Sequence, residues 1–192
     1  MIGVVLAPHY SRMSVGEYRE RLEAALDGRD AELVLVESWY DDPAFVEVVA
    51  DRVRGTDAWV VFTAHSLPER ILAAGDPYPD ELRATARHVA DQLGLDDWAI
   101  GWQSAGRTPE PWIGPDVLAI VDESAGTVPG LLVCPCGFVA DHLEVLYDLD
   151  IEARRVADEV GLAFARTRSL NDDPDVLAAL ADRVVATADT LA

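Results

Sequence analysis

The run Trp59-Val60-Val61-Phe62-Thr63 constrains the fold more than any other segment. Unbroken β-branched and aromatic residues, with no polar alternation, describe a strand buried on both faces. Such strands belong to parallel sheets, whose crossover connections lay helices over each side. The rest of the chain repeats this theme. Strands are expected at Ile2–Ala7, Ala31–Glu37, Ala58–Thr63, Trp98–Gln103 and Gly130–Cys136, with a weaker one at Leu162–Arg166. Helices are expected at Val15–Leu26, Pro43–Arg54, Asp80–Leu93, Pro115–Ser124, Asp141–Val160 and Pro174–Leu191, the fifth interrupted near Leu149. This order predicts an α/β fold: a Rossmann-like parallel sheet of about 4–6 strands with helices on both faces.

Helix starts carry their own chemistry. Ser14 with Glu17 fits a capping box, as does Asp141 with Glu144. Pro43, Pro115 and Pro174 suit the first turn of a helix. Two loops are long for this architecture, His65 to Pro79 and Ser104 to Pro115. Both follow strands, so both emerge at the carboxyl edge of the sheet, where open α/β folds bind ligands.

At 192 residues the chain is large enough to bury the core of one domain. Its formal charge is −20, and every one of its 15 basic residues is Arg. Nucleic acid is an unsuitable partner for such a chain, because binding there rests on Lys and Arg contacts to phosphate. The same charge favours cations. No apolar run approaches the roughly 20 residues of a membrane span. The N-terminus reads as a strand rather than a signal peptide, so the expected compartment is the cytoplasm. Cys134 and Cys136 are the only two cysteines, too few alone for a zinc or iron–sulfur site. They are read as buried core residues, and a [2Fe–2S] cluster is not expected.

Chemistry concentrates in two places. The Trp59 strand runs straight into Ala64-His65-Ser66-Leu67-Pro68, which places an imidazole where strand becomes loop. A turn beginning at Gly137 leads into a helix carrying Asp141, Glu144, Asp148 and Glu152. Positions three and four apart share a helix face, and stacked like charges there are mutually unfavourable unless a cation is near. The same pattern also describes a solvated acidic face. His and carboxylate together suit first-row divalent metals such as Fe²⁺. A carboxylate beside such a metal can also take protons from a ligand. Trp112, held on a proline-rich loop, is either a packing residue or a ligand contact. His88 is read as surface helix; it and His9 lie outside these segments.

Five ordered blocks resemble ferrochelatase segments. They are Leu6 to Ser11, Glu37 to Asp41, Ala64 to Pro68, Trp102 through Trp112, and Phe138 to Asp150. The likeness is to the coproporphyrin III ferrochelatases of Gram-positive bacteria. It implies insertion of ferrous iron into coproporphyrin III, a lyase reaction of haem biosynthesis. By the same resemblance His65 and Glu144 face each other across the porphyrin as metal-binding and catalytic residues. It makes Tyr18 and Trp112 porphyrin contacts, and Asp148 and Glu152 an outer cation site. No resident cofactor is implied, since Fe²⁺ is a substrate.

Family members have two similar α/β halves, and this sequence resembles the second half and the end of the first. The implied division is 1–30 as the end of the first half and 31–192 as the C-terminal chelatase domain. Either a separate N-terminal half or a homodimer is then expected to complete the porphyrin wall. The alternative reading is a non-catalytic porphyrin- or metal-binding half that needs a partner.

Overall fold

The computed structural model describes residues 1–189; the end of the expected last helix, at Leu191, lies outside the described residues. Among the described residues six strands are seen, all paired parallel. They divide between two sheets instead of forming one. Strands β1 (Ile2–Val4) and β2 (Val34–Val36) make a two-stranded sheet, with Ile2 opposite Val34. Strands β3 (Trp59–His65), β4 (Trp98–Gln103), β5 (Leu131–Cys134) and β6 (Phe164–Arg166) make a four-stranded sheet in the order β4-β3-β5-β6. The first sheet straddles residue 30.

The helices are α1 (Glu17–Leu26), α2 (Pro43–Val53), α3 (Arg70–Ala73), α4 (Tyr78–Leu93), α5 (Val117–Glu123), α6 (Leu143–Val145), α7 (Arg154–Val160) and α8 (Pro174–Asp189). Alternation along β3 sorts the core into two layers. Val60, Phe62 and Ala64 join α2 and α4 side chains such as Phe45, Val49, Leu82 and Val89. Val61 points the other way, into a cluster with Val121 of α5 and Ala157 of α7. β3 is thus covered on both faces, as its unbroken apolar run demands.

Several boundaries differ from expectation, each for a local reason. The first helical segment starts at Arg12 with a π turn to Gly16, and Ser11 caps it by accepting the Met13 N–H (3.2 Å). Ser14 is therefore inside the helix and is not its cap. Asp116, not Pro115, precedes α5: its carboxylate accepts the Leu118 N–H at 2.8 Å. Pro43 and Pro174 do open their helices. The loop after His65 is shorter than expected, because α3 forms within it and α4 begins at Tyr78. The expected interruption near Leu149 is a π-helical stretch, Leu146–Ala153, continuous with α6 and α7. Cys134 and Cys136 are both buried and unoxidised. Among the described residues, no helix is long and apolar enough to cross a membrane.

Candidate functional site

His65 closes β3, opposite Gln103 of β4. Its ring Nδ1 lies 2.5 Å from the Ser66 carbonyl oxygen. A carbonyl only accepts, so Nδ1 is the donor in this contact, and Nε2 is the ring nitrogen turned toward Glu144. The segment after β5 comes flush against β3 at this point. The Gly137 N–H donates to the Thr63 carbonyl at 3.0 Å, and a Cβ at Gly137 would stand 2.3 Å from the Ala64 Cβ. Glycine is required for that approach. Phe138 then lies 6.4 Å, centroid to centroid, from the His65 ring and 5.3 Å from that of His142. His142 caps α6 through its Nδ1, which accepts the Glu144 N–H at 3.2 Å.

The result is a facing pair: His65 Nε2 and Glu144 Oε2 are 4.0 Å apart. That is too long for a hydrogen bond. Metal–ligand arms of about 2.0–2.2 Å would span it with an ion close to the line between the two atoms. The side chains are 35% and 54% exposed, so ligands can approach. Among the described residues, no group of three or more His, Cys, Asp or Glu side chains gathers to cage an ion. Two ligands with open positions suit a metal that is handed on more than one that is kept.

The expected acidic stripe is split three ways. Glu144 faces His65. Asp141 lies before the helix and caps nothing: it binds Arg166 (2.7 Å), the Asn171 amide (2.9 Å) and the Ser169 N–H (3.2 Å). Burial alone would raise the Asp141 pKa, but these donors outweigh it and hold the carboxyl below its ordinary value. Asp148 and Glu152, on the π-helical stretch, line a cavity of about 310 Å³ with Gln103, Ser104, Arg107 and Tyr147. The Ser104 hydroxyl donates to Asp148, and Ser104 sits in the left-handed region at φ 61°. Asp148 and Glu152 thus share one cavity, as a cation site between them would require, but it is not the space between His65 and Glu144.

The two loops at this edge are zipped together. Glu69 N–H donates to the Pro111 carbonyl (2.9 Å) and Ile113 N–H to that of Leu67 (2.9 Å), with Trp112 bridged to Pro68. The Trp112 indole covers Gly106, where a Cβ would meet Cζ2 at 2.3 Å, and its N–H donates to Thr108 (2.9 Å). Tyr18 stands on α1, 51% exposed, on a helix that buries none of its residues. Among the described residues no hydrogen bond or ring contact joins Tyr18 to His65 or Glu144.

Residue-level reading of the sequence missed a supporting layer. The Tyr78 phenol donates to the His65 carbonyl at 3.0 Å. Asp76 accepts the Tyr78 N–H (3.1 Å) and, through its other oxygen, the Ser11 hydroxyl (3.0 Å) and Arg12 N–H (2.8 Å). Glu81 accepts the Tyr10 N–H (2.6 Å) and the Ser38 hydroxyl (2.8 Å), and burial raises its pKa against those bonds. His9 is buried against Thr85 (3.0 Å), and burial lowers its pKa to about 3. The sequence signal for Asp76 and Tyr78 was the segment Gly75-Asp76-Pro77-Tyr78-Pro79, which reads as a loop. His88 is exposed on α4, as expected.

A family model described as ferrochelatase matches residues 1–188. A ferrochelatase from Herpetosiphon aurantiacus is 46% identical over 187 residues, 91% of this chain and 61% of its own length. Coproporphyrin III ferrochelatases from Geobacillus kaustophilus and Bacillus subtilis are 44% and 42% identical over 198 residues, each match covering 96% of this chain. Those matches take in 62% and 64% of the relatives' own lengths, so the chain spans less than two thirds of each. With a family match that runs from the first residue through nearly the whole of α8, the chain belongs to the ferrochelatase family.

Proposed function

We propose that this chain supplies the metal-facing part of an enzyme that inserts ferrous iron into coproporphyrin III. The observation that carries the reading is the His65–Glu144 pair, two groups of complementary chemistry facing each other 4.0 Å apart at the carboxyl edge of the sheet. The coproporphyrin substrate is taken from the names of relatives at 42–44% identity. In the reaction, Fe²⁺ enters the macrocycle and two pyrrole N–H protons leave. His65 Nε2 offers the lone pair that guides the ion, and Glu144 takes protons from the pyrrole nitrogens one at a time. Asp148 and Glu152 form the outer waiting point for the cation. Tyr18 and Trp112 contact the porphyrin. The reading requires no resident cofactor, and its setting is the cytoplasm.

Residues 1–30 belong in this proposal to the end of the family's first half and 31–192 to the domain bearing the metal-facing segments. The porphyrin's other wall comes from a separate N-terminal half or from a second copy. A non-catalytic porphyrin-binding half is the second reading. It is favoured by Tyr18, a proposed porphyrin contact on a helix with no buried residue.

Anaerobic Fe²⁺ insertion into coproporphyrin III, read as loss of porphyrin fluorescence, separates them. Turnover lost in His65→Ala supports the insertion reading. Tight porphyrin binding without turnover, even with an added N-terminal half, supports the binding half. Full turnover in folded His65→Ala overturns the role given to His65.

A further inference from the structure

The peptide group between His65 and Ser66 is held at both ends. Its carbonyl, that of His65, accepts the Tyr78 hydroxyl at 3.0 Å. Its N–H, that of Ser66, donates to the Gln103 carbonyl at 2.7 Å. The Ser66 side chain is fixed as well, donating to the Ile113 carbonyl at 2.7 Å from a fully buried position. With the peptide plane and the following residue immobilised, the Ser66 carbonyl is left at 2.5 Å from the His65 Nδ1.

We infer that Tyr78 is a positioning residue for His65. By pinning the 65–66 peptide it keeps the Ser66 carbonyl on Nδ1, and so keeps the proton off Nε2, the atom that faces Glu144. The inference rests on the insertion reading for its functional meaning, but the tautomer itself does not. Tyr78 is built for a fixed task. It is 7% exposed, its ring packs 5.7 Å from Trp102 and 6.3 Å from His9, and Asp76 caps its N–H. Burial raises its phenol pKa, so the hydroxyl stays a donor. The strand ladder holds only the N–H end of this peptide, through Gln103 of β4; the β3–β5 pairing ends at Phe62, short of the His65 carbonyl. A metal-binding histidine whose tautomer is set by a hydrogen bond at its other nitrogen is a general device; here the setting group is itself set by the tyrosine that opens α4.

The test is long-range ¹H–¹⁵N correlation spectroscopy of the imidazoles in the ¹⁵N-labelled chain, at a pH where they are neutral. His65→Ala assigns the signals, and exposed His88 is the internal control. Wild type should show His65 protonated at Nδ1. In Tyr78→Phe, which keeps the ring packing, the tautomer ratio should fall by about fivefold, as for one weakened hydrogen bond, while His88 is unmoved. If Tyr78→Phe does not fold, Asp76→Ala loosens the same tyrosine and should shift the ratio in the same direction. A wild-type proton on Nε2, or an unchanged ratio in the folded variant, overturns the inference. Iron insertion by His65→Ala judges the underlying reading separately, since the tautomer can be right or wrong whatever that assay returns.

Discussion

Arg166 grips Asp150 with two parallel hydrogen bonds, Nε to Oδ1 at 2.7 Å and Nη2 to Oδ2 at 2.8 Å, while Nη1 reaches Asp141. One guanidinium at the end of β6 thereby anchors both the π-helical stretch that carries Asp148 and the turn that leads to Glu144. The Arg166 side chain is 13% exposed and that of Asp150 36%, so the guanidinium is sheltered while its partner keeps access to water. Arg166→Met should lower stability by about 2–4 kcal/mol, because two carboxylates lose their partner. Arg166→Lys should recover less than half of that, since an ammonium cannot reproduce the fork. Denaturant melts of the three proteins would decide it.

Glu144 is more than half exposed, and none of the described contacts makes it essential for folding. Glu144→Gln should leave the melting temperature within about 2 °C of wild type, as for other surface substitutions. Insertion, if Glu144 is the proton acceptor, should slow by about 10²–10⁴-fold. A turnover assay beside a thermal melt tests both halves of the statement. Equal turnover would remove the proton-acceptor role.

His9 supplies a pH dependence whose sign follows from burial. Its pKa is about 3 in the folded chain against 6.5 unfolded, so below pH 6.5 the unfolded chain takes up a proton that the folded chain refuses. Stability contributed by this site is complete above pH 6.5 and is lost as pH falls toward 3. The slope approaches about 1.4 kcal/mol per pH unit, accumulating to roughly 5 kcal/mol. His9→Gln should flatten that limb. Urea titrations at a series of pH values compare the slopes directly.

Gly137→Ala forces a methyl group to within 2.3 Å of the Ala64 Cβ and 2.7 Å of the Ala64 Cα, neither of which can rotate away. The expected cost is about 1–3 kcal/mol of overpacking. The displaced Phe138 segment should also widen the His65–Glu144 gap. Activity should therefore fall further than stability alone explains, when assayed well below the melting temperature. Normal activity in the folded variant would show that the close approach matters only for packing.

The fold was legible where hydrophobic pattern and sheet coverage say the same thing. The apolar run at Trp59–Thr63 announced a strand covered on both faces, and Val60, Val61 and Phe62 are each at most 1% exposed. His65 and Glu144 were legible as chemistry, one at a strand end and one on an acidic helix. Their separation was not, because it depends on Gly137 lying against Ala64 and on His142 acting as a cap. Asp141 looked like a cap because Asp-x-x-Glu is a local pattern. Its true partner, Arg166, closes β6, 25 residues further along the chain, and no local pattern reports a tertiary ion pair. Tyr78 was hidden for the same reason: next to Pro77 and Pro79 it resembled loop, and only the folded chain shows its hydroxyl under the His65 carbonyl. The division of six parallel strands into two sheets depended on which strands become neighbours, which periodicity does not encode.

The π-helical stretch has a consequence in the arithmetic of insertions and deletions. A π turn carries one residue more than an α turn. Removing a single residue between Leu146 and Ala153 would let the stretch relax to ordinary α geometry. α7 could then keep its buried Ala157 against the sheet with no frame error. The same deletion in α4, already α-helical, would rotate everything beyond it by about 100° and turn its buried face toward water. The helix that carries Asp148 and Glu152 can therefore change its length by one without its far end noticing. What such a change would alter is the direction in which those two carboxylates look.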